Sequence, residues 1–389
     1  MQENLLKVKE DITSNTVEKI RFHSLDALRF FAFLKVYLIH VPIQGNFPIF
    51  DYLKGGGGLG VCFFFVLSGF LITYLLVFEK IQNGKIKIKK FLIRRSLRIW
   101  PLFYLMVIIM FLLPNYFKDY SGLHMMSGGY VLDWKYSFTF LENIKMLITD
   151  NVPNTTPICI FWSLCIEEHF YLLWLICLFF IPVKYVFRFL LFCIVFSWIS
   201  RYLEPFILGN SFVNSNDLFT NIDFFAFGGI LGYWVAKDYE KVSNFIKSIP
   251  YWIKYSIIFI VILIVIFYRI ILPNNPDSIL SLFRSSIFAL LFTILIAMFI
   301  PKDSRIRINS KILNYLGTIS FGLYIYHIIF IHCTFQYCIR NKILIDNWQT
   351  LSVIILITLG GSVIVSMISF HFFEKPFLLL RERLTKKTF

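Results

Sequence analysis

Arg29 and His40 lie 11 residues apart in an otherwise apolar stretch. At about 100° per residue this spacing leaves them about 20° apart on one helix face and about 16 Å apart along the axis. Asp26, one turn before Arg29, falls on the same stripe. Every ionisable group inside a bilayer is costly, so a cation, an acid and an imidazole aligned on one face are a functional hypothesis. A lone His at a helix end would read as an interfacial hydrogen bonder. Aligned above Arg29 and Asp26, His40 reads instead as a group that takes a proton, since neutral imidazole is suited to that near pH 7.

A second cluster is cationic. Lys85-Ile-Lys-Ile-Lys-Lys-Phe-Leu-Ile-Arg-Arg-Ser-Leu-Arg-Ile-Trp-Pro runs into an apolar segment. Arg94 and Arg98 are spaced i,i+4 and Arg95 and Arg98 i,i+3, so their guanidiniums are expected to converge at one membrane surface. Guanidinium forks suit phosphate oxygens. Topogenic charge explains the lysines of this stretch; three arginines pressed against an apolar helix point to a phosphate-bearing ligand. Pro101 removes one backbone donor and predicts a kink beside the cluster.

A third cluster opens another apolar segment, Phe161-Trp-Ser-Leu-Cys-Ile-Glu-Glu-His-Phe-Tyr. Two carboxylates, Glu167 and Glu168, and His169 open this helix with Trp162 and Ser163 beside them. A carboxylate could orient an imidazole, or a His and Glu pair could share acid/base work, and Ser163 with Glu167 also fits a helix-capping pair that can coexist with function. Ser68-Gly69 reads first as a small pair on which another helix packs, and second as a hydroxyl near the chemistry. Asp223 near Gly228, Tyr324 and His327 on one helix face, and Glu374 at the end of the last span are supporting candidates. Arg269 and Arg284 are expected to pair with carbonyls or acids inside the bundle.

These residues need elements to hold them. The chain has 389 residues, 58% of them hydrophobic and only 16% charged, with a mean hydropathy of +0.71. That much apolar surface exceeds what a water-facing shell can cover, so a bilayer is the expected solvent. The expected fold is all-α, a polytopic bundle of about ten transmembrane helices near 25–41, 60–78, 97–113, 162–181, 186–203, 219–236, 254–272, 279–300, 314–338 and 350–373. The interruption at 114–161 is expected to be a loop with an interfacial helix. No small-residue cleavage site follows the first apolar stretch, so no removable leader is expected. Seven scattered cysteines form neither a disulfide framework nor a metal-ligand pattern.

The net charge of +15 is distributed by topology, which argues against a nucleic-acid partner. With the N-terminus inside, 27 of the 38 basic residues fall in inside segments and seven in the opposite loops. Such asymmetry predicts both termini in the cytoplasm and an even number of spans.

In order along the chain, LDALRFFA followed by His40, GVCFFFVLSGFLI, RRSLRIWP, WSLCIEEHFY, ISFGLYIYH and FEKP resemble the acyltransferase 3 family of integral membrane O-acyltransferases. The resemblance covers about Ser24 to Pro376. It implies transfer of an acyl group, commonly acetyl from acetyl-CoA as co-substrate with no bound cofactor, onto a hydroxyl of a cell-surface glycan or lipid-linked acceptor. By motif match, Arg29 and His40 take the family's first-helix arginine and histidine, Arg95 and Arg98 fall in its arginine motif at the donor, and Glu167 occupies its glutamate. Cys62, Leu97 and His169 depart from the residues common at those motif positions. Many relatives carry a fused extracytoplasmic hydrolase-like domain; 13 residues follow Pro376 here, so none is expected.

The expected organisation is a cytoplasmic segment 1–24, a transmembrane domain 25–376 and a basic tail 377–389, in a bacterial inner membrane. In the expected mechanism, Arg29, Arg94, Arg95 and Arg98 bind the donor, His40 is the general base and Glu167 assists it from the same outer side. A transporter or a lipid or glycan flippase would also place charges in the bundle, but would not explain arginines at one mouth with His and Glu at the other.

Overall fold

The computed structural model describes residues 20, 22, 24–43, 47–124, 128–209, 216–271, 279–302 and 305–386, apart from the side chains of 208 and 269. The segment expected to be cytoplasmic at 1–24 therefore lies almost wholly outside the described residues, as do the Arg269 side chain and the last three residues of the basic tail.

Among the described residues every regular element is helical, and β pairing is limited to the isolated bridges His124 with Thr155 and Tyr130 with Pro153. The helices are α1 (Ser24–His40), α2 (Pro48–Lys54), α3 (Gly58–Asn83), α4 (Ile88–Leu112), α5 (Asn115–Ser121), α6 (Trp134–Phe138), α7 (Glu142–Thr149), α8 (Trp162–Phe180) and α9 (Val183–Leu208). There follow α10 (Leu218–Lys237), α11 (Tyr239–Ser248), α12 (Tyr251–Ile266), α13 (Tyr268–Ile271), α14 (Leu280–Met298), α15 (Lys311–Thr318), α16 (Ser320–Arg340), α17 (Trp348–Ser369) and α18 (Lys375–Lys386).

Among the described residues, eight candidate spans are long and apolar enough to cross a bilayer, or nine if α11 and α12, bent by 94° at their junction, form one span. The sequence predicted about ten. Part of the difference is α1, whose 17 residues reach only about 25 Å at 1.5 Å per residue, short of a hydrocarbon core of about 30 Å. The other is the span expected at 254–272, where α12 has 16 residues and passes only with its bent neighbour.

Glycine sets the closest helix contact. A Cβ at Gly69 would lie 2.1 Å from the Phe225 carbonyl oxygen, and one at Gly228 would lie 1.9 Å from that of Val66, so α3 and α10 meet backbone to backbone. Such contacts let small residues substitute for a hydrophobic driving force that lipid does not supply. Gly317 likewise leaves room for the carbonyl of Asp26, which ties α15 to the start of α1. A buried ion pair stitches the far side of the bundle. Arg201 Nη2 donates to Asp223 at 2.5 Å, Ser286 Oγ donates to the other carboxylate oxygen at 2.6 Å, and Trp198 donates to Ser286 at 2.8 Å.

The 114–161 segment, expected to be a loop with an interfacial helix, holds three short α-helices among its described residues and its own buried anchor. Glu142 is fully buried; it accepts from Tyr130 Oη at 2.7 Å and from Ser137 Oγ. Burial pushes the Glu142 carboxyl above the ordinary carboxylate range, and burial beside that carboxyl pushes the Tyr130 phenol up.

Candidate active site

The site is built where α1, α3, α4, α8 and α16 meet. Ser68 and Gly69 are consecutive, so about 100° of helix rotation separates them. Gly69 faces α10, which turns Ser68 toward α8. On α8, Ser163, Glu167 and Tyr171 recur every four residues and line one face of a cavity of about 100 Å³. Ser68 Oγ donates to Glu167 Oε1 at 3.0 Å, and Tyr171 Oη donates to Glu167 Oε2 at 3.0 Å. Both carboxylate oxygens are thus held.

From α4, Arg95 and Arg98 line the same cavity, and the Arg95 guanidinium sits 5.3 Å from the centre of the Tyr171 ring. Arg29 joins them while paired with Asp26 at 2.6 Å. Among the described residues neither Arg95 nor Arg98 has a carboxylate within ion-pair distance. These arginines, with Leu71 and Phe321, also line a second cavity of about 380 Å³, whose other walls include Asp26, Tyr74, Glu374 and Arg381. The two cavities therefore adjoin, with the arginines in the walls of both.

Tyr324, in the wall of the smaller cavity, packs beside a histidine pair that lines neither cavity. Tyr324 Oη bonds Ser163 Oγ at 2.6 Å and donates to the Ile160 carbonyl at 2.8 Å; the Tyr324 ring lies 5.9 Å from that of His327. His327 is fully buried, its Nδ1 is 3.2 Å from the Leu323 carbonyl, and its Nε2 is 3.4 Å from His40 Nδ1. His40 Nδ1 is in turn 2.9 Å from the Val36 carbonyl. A carbonyl only accepts, so these contacts assign the proton to Nδ1 of both rings and leave His40 Nε2 with its lone pair.

The sequence expectations divide accordingly. Arg29, Arg95, Arg98, Ser68, Ser163, Glu167 and Tyr324 come together at the first cavity, while Asp26 and Glu374 line the second. His40 and Glu167 do not meet: His40 pairs with His327, and Glu167 with Ser68 and Tyr171. Arg94 is exposed and lines neither cavity, because the face shared by Arg95 and Arg98 turns it outward. Asp223 is engaged by Arg201 and Ser286 instead. Trp162 packs against the apolar core, and Ser163 caps no helix end; α8 starts without a side-chain cap. Arg284 stacks over the Tyr268 ring at 5.2 Å. Tyr171, Ser320 and Arg381 were not singled out. Tyr171 had a signal, its i,i+4 spacing from Glu167.

A family model described as an acyltransferase domain matches residues 22–367. The chain belongs to the acyltransferase 3 family. Over 156 residues, 39% of the chain, this acyltransferase is 35% identical to the peptidoglycan O-acetyltransferase of Listeria monocytogenes, covering 23% of that protein. Over 384 residues, 92% of the chain, it is 26% identical to a protein of Staphylococcus aureus named "Putative O-acetyltransferase", covering 58% of it. The acyltransferase thus spans between about a quarter and three fifths of the length of these relatives. No solved structure matches it.

Proposed function

We propose that this acyltransferase moves an acetyl group from acetyl-CoA, arriving at the cytoplasmic face of a bacterial plasma membrane, onto a hydroxyl of a cell-surface glycan. The observation that carries the reading is the pair of adjoining cavities: Arg95 and Arg98, with no carboxylate within ion-pair distance in the described residues, line both, and the smaller also holds the Ser68–Glu167–Tyr171 cluster, with Tyr324 packed beside the paired imidazoles. Both termini are placed in the cytoplasm, which the 27 to seven division of basic residues supports. The printed name of the Listeria relative makes peptidoglycan a first acceptor to assay.

In this mechanism Arg95 and Arg98 hold the donor phosphates and the thioester extends into the smaller cavity. Ser68 and Tyr171, both fixed by Glu167, orient the acyl end. His40 Nε2 removes the proton of the acceptor hydroxyl as its oxygen attacks the thioester carbonyl. The new C–O ester bond forms, the C–S bond breaks, and coenzyme A leaves as thiolate. His327 holds the His40 ring in the tautomer that keeps Nε2 free.

The test is purified protein in lipid nanodiscs, supplied with acetyl-labelled acetyl-CoA and candidate glycans, with thiol release and alkali-labile label on the glycan followed separately. Transfer is expected, and His40→Ala is expected to reduce it roughly 100-fold or more while the protein remains folded. Full transfer by His40→Ala would remove His40 from the mechanism.

A further inference from the structure

The basic tail is helical over its described residues. It forms α18, which packs along α4 and lies beyond the residues covered by the family match. Between α17 and α18 the chain makes a π turn, Phe370–Glu374. The extra residue of a π turn rotates everything after it relative to the preceding helix. In the resulting orientation Arg381 lines the larger cavity together with Arg29, Arg95 and Arg98, whereas Arg383 and Lys386 remain exposed. Topogenic charge accounts for the exposed pair and not for a guanidinium turned into a cavity.

The charges of this cavity do not cancel. Its acids are Asp26, paired with Arg29 at 2.6 Å, and Glu374, which accepts from Ser369 at 3.1 Å. Among the described residues four arginines thus face two acids. The carboxylate recorded beside Arg381 is that of Glu382, at 3.9 Å and more than half exposed. A ligand carrying two or more negative charges matches this lining, and a guanidinium fork can bind its oxygens in pairs.

We propose that Arg381 is a donor-binding residue, contributed by the C-terminal helix, whose guanidinium holds a phosphate at the nucleotide end of the acyl thioester. The proposal rests on the acyl-CoA reading above and adds a binding group from a different part of the chain. It separates the two ends of the donor: Arg381 would contact phosphate, and it lines the larger cavity but not the smaller one that holds Ser68, Glu167 and Tyr171.

The test compares acetyl-CoA with S-acetyl-pantetheine, which keeps the thioester and lacks phosphate, in nanodiscs of phosphatidylcholine alone. Arg381→Ala is expected to lower kcat/KM for acetyl-CoA roughly 10-fold, with the loss carried by KM, and to lower it far less for acetyl-pantetheine. Arg381→Lys should recover part of the loss, since it restores charge without the fork. Equal losses with the two donors would mean that Arg381 only supports the fold and would overturn the proposal; so would unchanged kinetics with acetyl-CoA. A defect that arises only after phosphatidylglycerol is added would assign Arg381 to a lipid headgroup phosphate and overturn it equally. Failure of the unsubstituted protein to use any CoA thioester would instead refute the acyl-CoA reading.

Discussion

Glu167 shows what a single carboxylate can do when both of its oxygens are occupied. Ser68 and Tyr171 each donate to it, so replacing it with Gln turns one acceptor into a donor and leaves a hydroxyl without its partner. Glu167→Gln is expected to reduce acyl transfer by 10-fold or more, in the range of a positioning hydrogen-bond network. Ser68→Ala, combined with it, should cost less than the product of the two single losses, because both act on one cluster; kcat measured across the double-mutant cycle decides this. His40 and His327 form a second unit, and their double alanine variant should likewise fall short of multiplicative. Of these residues, Arg29, His40, Arg95, Arg98 and Glu167 were legible in the sequence, because an ionisable group in an apolar run announces itself through its cost. Their long-range partners were not. Ser163 meets Tyr324 across 161 residues of chain and Ser68 meets Glu167 across 99, and single-sequence spacing carries no information at that range. Arg94 and Arg95 differ only in helix phase, which depends on what the helix packs against.

At the scale of elements, the helices were legible because hydropathy dictates them: α3, α8, α10 and α14 fall within a few residues of their expected spans, while the span expected at 314–338 is broken between α15 and α16. The bend between α11 and α12 and the π turn before α18 were not, since neither leaves a periodic trace. Gly69 makes the interface between α3 and α10 a sensitive point. Its absent side chain leaves room for the Phe225 backbone, so Gly69→Val must separate the two helices and displace Ser68 with them. A lowered melting temperature in detergent together with lost activity is expected, while Gly84→Ala, at a position with open space, should lower the melting temperature less despite its left-handed backbone. The 114–161 segment responds to a different variable. Burial raises the Glu142 pKa in the folded protein, so the fold favours the protonated form. The stability this contributes is fully present below the ordinary carboxylate pKa and is lost as pH rises through the raised value. Limited proteolysis of this segment should accelerate as pH rises above the ordinary carboxylate range, and Glu142→Gln, neutral throughout, should flatten that dependence.

For the whole molecule, the placement of basic residues makes a topological commitment. A cysteine introduced at Lys386, in an otherwise cysteine-free background, should react with a membrane-impermeant maleimide only after the cells are opened; one introduced at Asp150 should react in intact cells. Labelling of the Lys386 position from outside would invert the topology and put the arginines on the acceptor side.

The two cavities also differ fourfold in size, about 380 Å³ on the side of Arg381 and about 100 Å³ around Glu167, with Leu71 and Phe321 in the walls of both. A passage that narrows in this way measures whatever is pushed into it. Two carbons fit a space of that volume and a longer chain must displace its walls, so the enzyme becomes a ruler for its own cargo. Each added methylene should cost roughly 10-fold or more in kcat/KM from acetyl through propionyl to butyryl thioesters. Leu71→Ala should flatten that series by lengthening the ruler, at some cost to the acetyl reaction, and an unchanged series would place the measuring step elsewhere in the bundle.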